Sequence, residues 1–210
     1  LYPEFFEQLK IKPIKEYPSI LRESMDYVNC GGINVVLTPG RYNSAYYEHA
    51  YLANKMGAQL VRNNELVVKN KIVYFKNYNG KDIRVGAVYK RMDDEFLDPK
   101  FFNSESLIGV PGIMEAYLSG NVALMNAPGN GVADDKGIYY FVPAMIRYYM
   151  NEEPILQNAP TYLAYFEKDR QHILQNMRTL VIKDVAEAGG YGVVFGCNLT
   201  KSERQNLKDA

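Results

Sequence analysis

Residues Ile33 to Leu37 (INVVL) are apolar except for Asn34, and Thr38-Pro39-Gly40 stops them. A short run this rich in β-branched residues reads as a strand covered on both faces. A helical pattern follows from about Ser44 to Met56, with Ser44 as its candidate cap and Gly57 as its stop. Gln59 to Arg62 then reads as a second strand. Parallel neighbours need a long crossover, and a helix of this length supplies one. This strand–helix–strand unit therefore selects an α/β fold built on a parallel sheet.

The rest of the chain is read around that unit. Residues 1 to 30 are helical in pattern, with Phe5, Phe6 and Leu9 on one apolar face. Ile20, Leu21, Met25 and Val28 form another after Pro18, and Cys30-Gly31-Gly32 ends the segment. Leu66 to Val68 and Ile72 to Phe75 pair around Lys69-Asn70-Lys71, and Asn79-Gly80 signals a second hairpin before Ile83 to Tyr89. This β-meander inserts into or extends the sheet. Val110 to Leu118 reads as a helix with Pro111 at its start, and Asn121 to Met125 as a buried strand.

The clearest periodicity runs from Asp134 to Met150, where Ile138, Phe141, Val142, Met145, Ile146 and Tyr149 recur every three or four residues. Pro143 inside it is expected to kink or split the helix. Tyr162 to Phe166 reads as a strand and Asp169 to Met177 as a helix. Thr200 and Glu203 form a capping box for a last helix. A change of lobe is expected near residues 150 to 160. The expected division is a helical lead-in (1–32), an α/β domain (33–155) and a further partial lobe (156–210).

A second stretch, Thr179 to Gly196 (TLVIKDVAEAGGYGVVFG), bears on chemistry. Thr179 to Val185 reads as a buried strand and Gly192 to Gly196 as its antiparallel partner, with Gly189, Gly190, Tyr191 and Gly192 in the connection. Glycines there let successive N–H groups converge on an anion. Lys183 on the entering strand can set a point charge beside a nucleotide phosphate. A strand, not a helix, follows the loop, which sets aside Walker and dinucleotide-binding fingerprints. The competing reading is a surface hairpin with a solvated lysine.

Composition removes several classes. Lys plus Arg equals Asp plus Glu at 24 each, so no global field recruits nucleic acid or anionic membrane. Cys30 and Cys197 stand far apart with no CxxC, and read as reduced thiols of a cytoplasmic protein. His49 and His172 lack metal-ligand spacing. No apolar run approaches the ~20 residues a membrane helix needs. The first residue is Leu1 rather than Met, which reads as a piece of a longer chain.

Three loops that leave strands carry candidate chemistry. In Leu37 to His49, Gly40, Arg41, Asn43 and Ser44 can bind an anion at the following helix start, although ordinary strand-to-helix turn chemistry is the simpler reading. In Tyr89 to Pro99, Arg91 with Asp93 and Asp94 can clamp a carboxylate or an amine, against a plain salt-bridged loop. The adjacent aspartates make a poor metal chelate. In Asn126 to Lys136 (NAPGNGVADDK), Asp134 or Asp135 caps the next helix, and Lys136 at its start suits an anionic ligand.

Val35 to Leu52, Tyr89 to Pro99, Leu107 to Pro111, Asn126 to Lys136 and Val181 to Gly192, in this order, resemble the uncharacterised bacterial circularly permuted ATP-grasp family. Its relatives include glutathionylspermidine synthetase-like carboxylate–amine ligases. The resemblance covers roughly residues 33 to 196. It implies a pre-ATP-grasp-like domain followed by the first part of an ATP-grasp lobe. Asp135-Lys136 and Lys183 fall on the group's lysine positions, and Gly189, Gly190, Tyr191 and Gly192 on its phosphate flap.

The implied cofactors are ATP and Mg²⁺, with the metal ligands downstream of residue 210. The implied partners are a small-molecule or peptide carboxylate and an amine, with no nucleic acid and no membrane. The resemblance makes Lys136 and Arg91 the catalytic candidates. Arg41, Asn43, Arg91, Asp94 and Asn126 become the substrate-binding ones.

The chain departs from the family pattern at Asp184, where proline is usual, at Arg41, which replaces another proline, and at Ala186-Glu187-Ala188, where Gly-Ser is common. These 210 residues are expected to be inactive alone. The other functional classes are a non-catalytic nucleotide- or peptide-binding module, and a structural partner domain with a vestigial loop.

Overall fold

Helices α1 (Pro3–Gln8) and α2 (Tyr17–Val28) precede strand β1 (Ile33–Leu37) in the computed structural model, which describes residues 3–9, 11, 13–77, 79–186 and 192–209. Pro18 stands in the first turn of α2, where its missing N–H would have had no helical partner. Helix α3 (Tyr46–Met56) and strand β2 (Gln59–Val61) complete the crossover. Ser44 is not the cap of α3: Ala45 holds that position, and Asn43 Oδ1 instead accepts from the Ala45 N–H at 2.9 Å. Gly57 ends α3 with φ +64°, a left-handed residue that lacks the Cβ penalty.

Strands β3 (Leu66–Lys69), β4 (Ile72–Phe75) and β5 (Ile83–Lys90) follow, then helices α4 (Asp94–Leu97) and α5 (Ile113–Leu118) and strand β6 (Ala123–Met125). β1 lies parallel between β2 and β5. β5 is shared: its first residues pair antiparallel with β4, and Ala87 to Tyr89 pair parallel with β6. β3 closes the meander against β4, and Asn70 and Lys71 turn the hairpin with φ of 50° and 62°. The result is a mixed sheet whose parallel strands all end on one side.

Both faces of that sheet are buried. Val35, Leu37, Val85 and Val88 join Leu97, Val110 and Ile113 on one face. Val36, Ala87 and Tyr89 pack with Met25, Leu52, Ala53 and Met56 of α2 and α3 on the other. Of the face expected on α2, Met25 is buried and Leu21 packs against this cluster, while Ile20 and Val28 are exposed.

Val85 and Val88 are three residues apart, which simple alternation forbids on one face. The register explains it: Ile33 pairs with Val85 but Asn34 with Ala87, so Gly86 is an extra residue in a β-bulge. A side chain at Gly86 would stand 2.0 Å from Asn29 Oδ1. That amide is committed elsewhere, accepting from Gly31 N at 2.7 Å and donating to Asn34 Oδ1 at 2.6 Å.

Helix α5 starts at Ile113 rather than Val110. Its start is set by Asp98, fully buried, whose carboxylate accepts from the N–H groups of Gly112 (3.1 Å) and Met114 (3.0 Å). A buried carboxylate on free N–H groups at a helix start is favourable through both hydrogen bonding and the helix dipole.

This first unit comprises residues 1–130, and residues 131–210 form a second. The second contains helix α6 (Lys136–Met145), a π-type turn at Ile146–Met150, helix α7 (Glu167–Asn176), strands β7 (Val181–Lys183) and β8 (Val193–Phe195), and helix α8 (Lys201–Asp209). Pro143 does not end α6: the helix runs on to Met145 and then widens into the π-type turn. Pro143 has no N–H for the Tyr139 carbonyl four residues back, and the Asn158 side-chain amide donates to that carbonyl at 2.8 Å instead.

The apolar face of α6 holds no fully buried residue. The strand expected at Tyr162 to Phe166 does not form. Asp169 of α7 accepts from Leu163 N at 3.1 Å, and Tyr162 stacks on His172 at 4.2 Å, so contacts with α7 hold the segment in turns. β7 and β8 pair antiparallel as expected, but β7 is exposed rather than buried. The Thr200–Glu203 box caps α8, with Glu203 Oε2 accepting from Thr200 N at 2.8 Å.

Gly86→Ala is expected to lower stability by about 1–3 kcal/mol, measured by urea denaturation, because Asn29 must abandon its partners to make room. Asn158→Ala is expected to lower the opening free energy of α6 by about 1 kcal/mol, read as faster amide hydrogen exchange in that helix.

Candidate functional site

The carboxyl ends of β1, β5 and β6 release the three loops singled out above, the side on which open α/β sheets bind ligands. Arg91 is locked at the end of β5, its backbone N–H donating to the Leu37 carbonyl at 2.9 Å. Because the bulge restores alternation one residue late, Tyr89 faces α2 and α3. The Arg91 guanidinium follows it, lying over the Tyr89 ring at 5.5 Å. Arg91 Nη1 donates to the Tyr89 hydroxyl at 3.1 Å, and Nη2 donates to Glu48 of α3. Arg91 Nε is buried without a hydrogen-bond partner among the described residues.

His49, the neighbour of Glu48, is buried at 2% exposure, its Nδ1 2.8 Å from Thr38 Oγ1. Thr38 Oγ1 in turn accepts from the Gly40 N–H at 3.2 Å. This chain ties the loop after β1 to the interior of α3. Burial pushes the His49 pKa below its ordinary value, the Arg91 charge pushes it further down, and Glu48 opposes both. The imidazole is therefore held neutral. The Tyr17 hydroxyl, bonded to Tyr89, is pushed up by burial and then by its phenolic neighbour.

Arg91, expected to clamp a substrate carboxylate or amine together with Asp93 and Asp94, forms an ion pair with neither of them among the described residues. Asp94 instead pairs with Lys90 at 2.6 Å and accepts from the Gly129 N–H at 2.7 Å. That arrangement ties the loop after β5 to the loop after β6. Asp93 precedes the short α4 without a side-chain cap bond. Arg41 and Asn43 are exposed on the first loop and Asn126 on the third.

In the second unit, Asp135 caps α6, its Oδ1 accepting from Gly137 N at 2.6 Å. Lys136 is the first residue of that helix, and its N–H donates to the Val185 carbonyl at 3.1 Å. Its ammonium lies 3.5 Å from the same oxygen. Val185 is two residues beyond Lys183, so the start of α6 is tied to the exit of β7, where Lys183 is exposed. Gly192 re-enters at φ +67° and accepts, through its carbonyl, from Asp184 N at 3.4 Å. Gly189, Gly190 and Tyr191 lie outside the described residues.

Two lysines, one at a helix start and one on the strand before a glycine loop, suit a polyphosphate in donor chemistry. Among the described residues no group of three His, Cys, Asp or Glu side chains is placed to hold a metal ion. The sequence pattern assigns no site role to Glu48, Thr38 or Lys90, and weighs His49 only as a metal ligand that lacks the spacing. A signal was available for Glu48 and His49, which open the first turns of α3, the helix packed on the sheet face that Tyr89 shares.

The family model described as "a circularly permuted ATPgrasp" matches residues 1–210. An uncharacterized protein of Synechocystis sp. is 47% identical over 99% of this chain and 44% of its own length. An uncharacterized protein of Mycobacterium tuberculosis is 41% identical over 97% of this chain and 37% of its own length. A Frankia alni protein named "Putative glutamate–cysteine ligase 2-3" is 40% identical over 77% of this chain and 18% of its own length. The chain thus spans less than half the length of these relatives.

The depressed His49 pKa sets a sign for pH dependence. As pH falls, the unfolded chain takes up the imidazole proton first, near the ordinary value of 6.5, which favours unfolding. The contribution is complete above that value and is lost as pH falls through the lower folded one. Urea denaturation is expected to show stability falling between about pH 7.5 and about pH 5.5, and falling less in His49→Gln.

Proposed function

Because the chain belongs to the circularly permuted ATP-grasp family, we propose that the complete protein joins a carboxylate to an amine at the expense of ATP. The observation that carries this reading is the pairing of the family match with the second unit's geometry. Lys136 opens α6 and is hydrogen-bonded to Val185, two residues past Lys183 on β7. The relative named for glutamate–cysteine ligation supports the same reaction class, since that name joins an amino-acid carboxylate to an amino-acid amine.

Bound ATP supplies the phosphoryl group that converts the carboxylate into an acyl phosphate open to amine attack. Lys183 and Lys136 neutralise the polyphosphate charge, and the α6 N-terminus adds its dipole. Gly189, Gly190, Tyr191 and Gly192 are the flap of this proposal, with backbone amides as donors. Arg91 and Arg41 grip the substrate carboxylate, with Asn43, Asp94 and Asn126 on the neighbouring loops. Mg²⁺ accompanies the nucleotide, held by residues beyond 210. No helix among the described residues is long and apolar enough to cross a membrane, and we place the reaction in the cytoplasm, where ATP is supplied.

One observation favours the second reading, a module that binds without catalysing. Asp184, the residue next to Lys183 in sequence, is an exposed carboxylate, and a negative charge this near Lys183 disfavours an anionic ligand. The two readings separate on the complete protein. A ligase shows amine-dependent ADP release, and Lys183→Ala lowers it by about 100-fold or more with circular dichroism unchanged. A binding module shows nucleotide binding and no such release. The 210-residue chain alone is expected to yield no acyl phosphate trapped as hydroxamate by hydroxylamine. A hydroxamate signal there would place the whole machinery within these residues.

A further inference from the structure

A guanidinium recognises a carboxylate best along the edge formed by Nε and Nη2, where two parallel N–H groups meet two oxygens. Arg91 presents that edge half-filled. Glu48 engages Nη2 through Oε1 alone, and Nε, buried, has no partner among the described residues. The guanidinium is already engaged elsewhere: Tyr89 accepts from Nη1 through its hydroxyl at 3.1 Å, and Arg91 Cζ lies over the Tyr89 ring at 5.5 Å. Glu48 is the more exposed member: its side chain is 54% exposed, against 25% for Arg91. A buried N–H left unanswered costs free energy, and a ligand carboxylate taking both donors recovers it.

We propose that Glu48 is a placeholder carboxylate on the Arg91 fork, which a substrate carboxylate displaces to take Nε and Nη2 together. Glu48 then sets the affinity of this position by competition, and excludes anions that cannot bridge both donors. The neutral His49 beside it keeps the local charge from rising further as Glu48 leaves. The inference deepens the proposed ligase reading, on which it rests for the claim that the carboxylate is a substrate. The exchange itself requires no ATP.

The test uses glutarate as a probe on the 210-residue chain, with sodium chloride of equal ionic strength as the control. The Arg91 Nε–H resonance is assigned in nitrogen-15 spectra by its loss in Arg91→Lys. It is expected to move saturably with glutarate and not with chloride. In Glu48→Gln the half-saturating concentration is expected to fall roughly two- to fivefold, the range an exposed ion pair supports. Glu48→Ala is expected to move it in the same direction, and stands in if the glutamine variant loses the native backbone spectrum. A half-saturation equal to or above wild type in the folded variants overturns the proposal, as does a resonance unmoved in every protein. Loss of ADP release in the ligase assay with this shift intact would remove the ligase reading and leave the exchange standing.

Discussion

Gly86 is the residue that β5 carries in excess of β1, and the direction of every side chain beyond it follows from that. Without the bulge, Val88 would face α2 and α3, and Tyr89 would turn to the opposite side of the sheet. With it, Val88 joins Val85 in one core while Tyr89 and Arg91 point toward α3, where Glu48 and His49 are waiting. The bulge is admissible because position 86 has no side chain, and because Asn29 fills the space a Cβ would need. One missing methyl group thus decides which helix the strand-end chemistry meets.

The second unit shows the same economy with a backbone atom. The Val185 carbonyl accepts the amide of Lys136 and lies 3.5 Å from its ammonium. The start of α6 and the exit of β7 therefore meet at one oxygen.

Much of the framework was legible in the residues because local signals and the fold agree. INVVL is buried on both faces, Asn70 adopts the positive φ its turn requires, and Thr200 and Glu203 form their box. Failures occurred where another residue's contact, near or distant, overrode the local pattern. Ser44 lost its cap role to an Asx turn at Asn43, α5 was shifted to Ile113 by Asp98 from another loop, and Tyr162 was taken by His172. At the candidate site the loops were identified but not their pairings. Arg91 meets Glu48, 43 positions away, and Asp94 pairs with Lys90. Such pairings follow from strand direction and helix packing, which spacing along the chain does not carry.

Pro143 and Asn158 form a matched pair: one removes a backbone donor from α6 and the other restores it from a loop. Neither residue is well chosen without its counterpart, since an amide at 158 facing an ordinary helix would compete with the main chain for one acceptor. Homologues are therefore expected to change the two positions together. Grafting α6 into another scaffold would carry the defect along and leave its remedy behind.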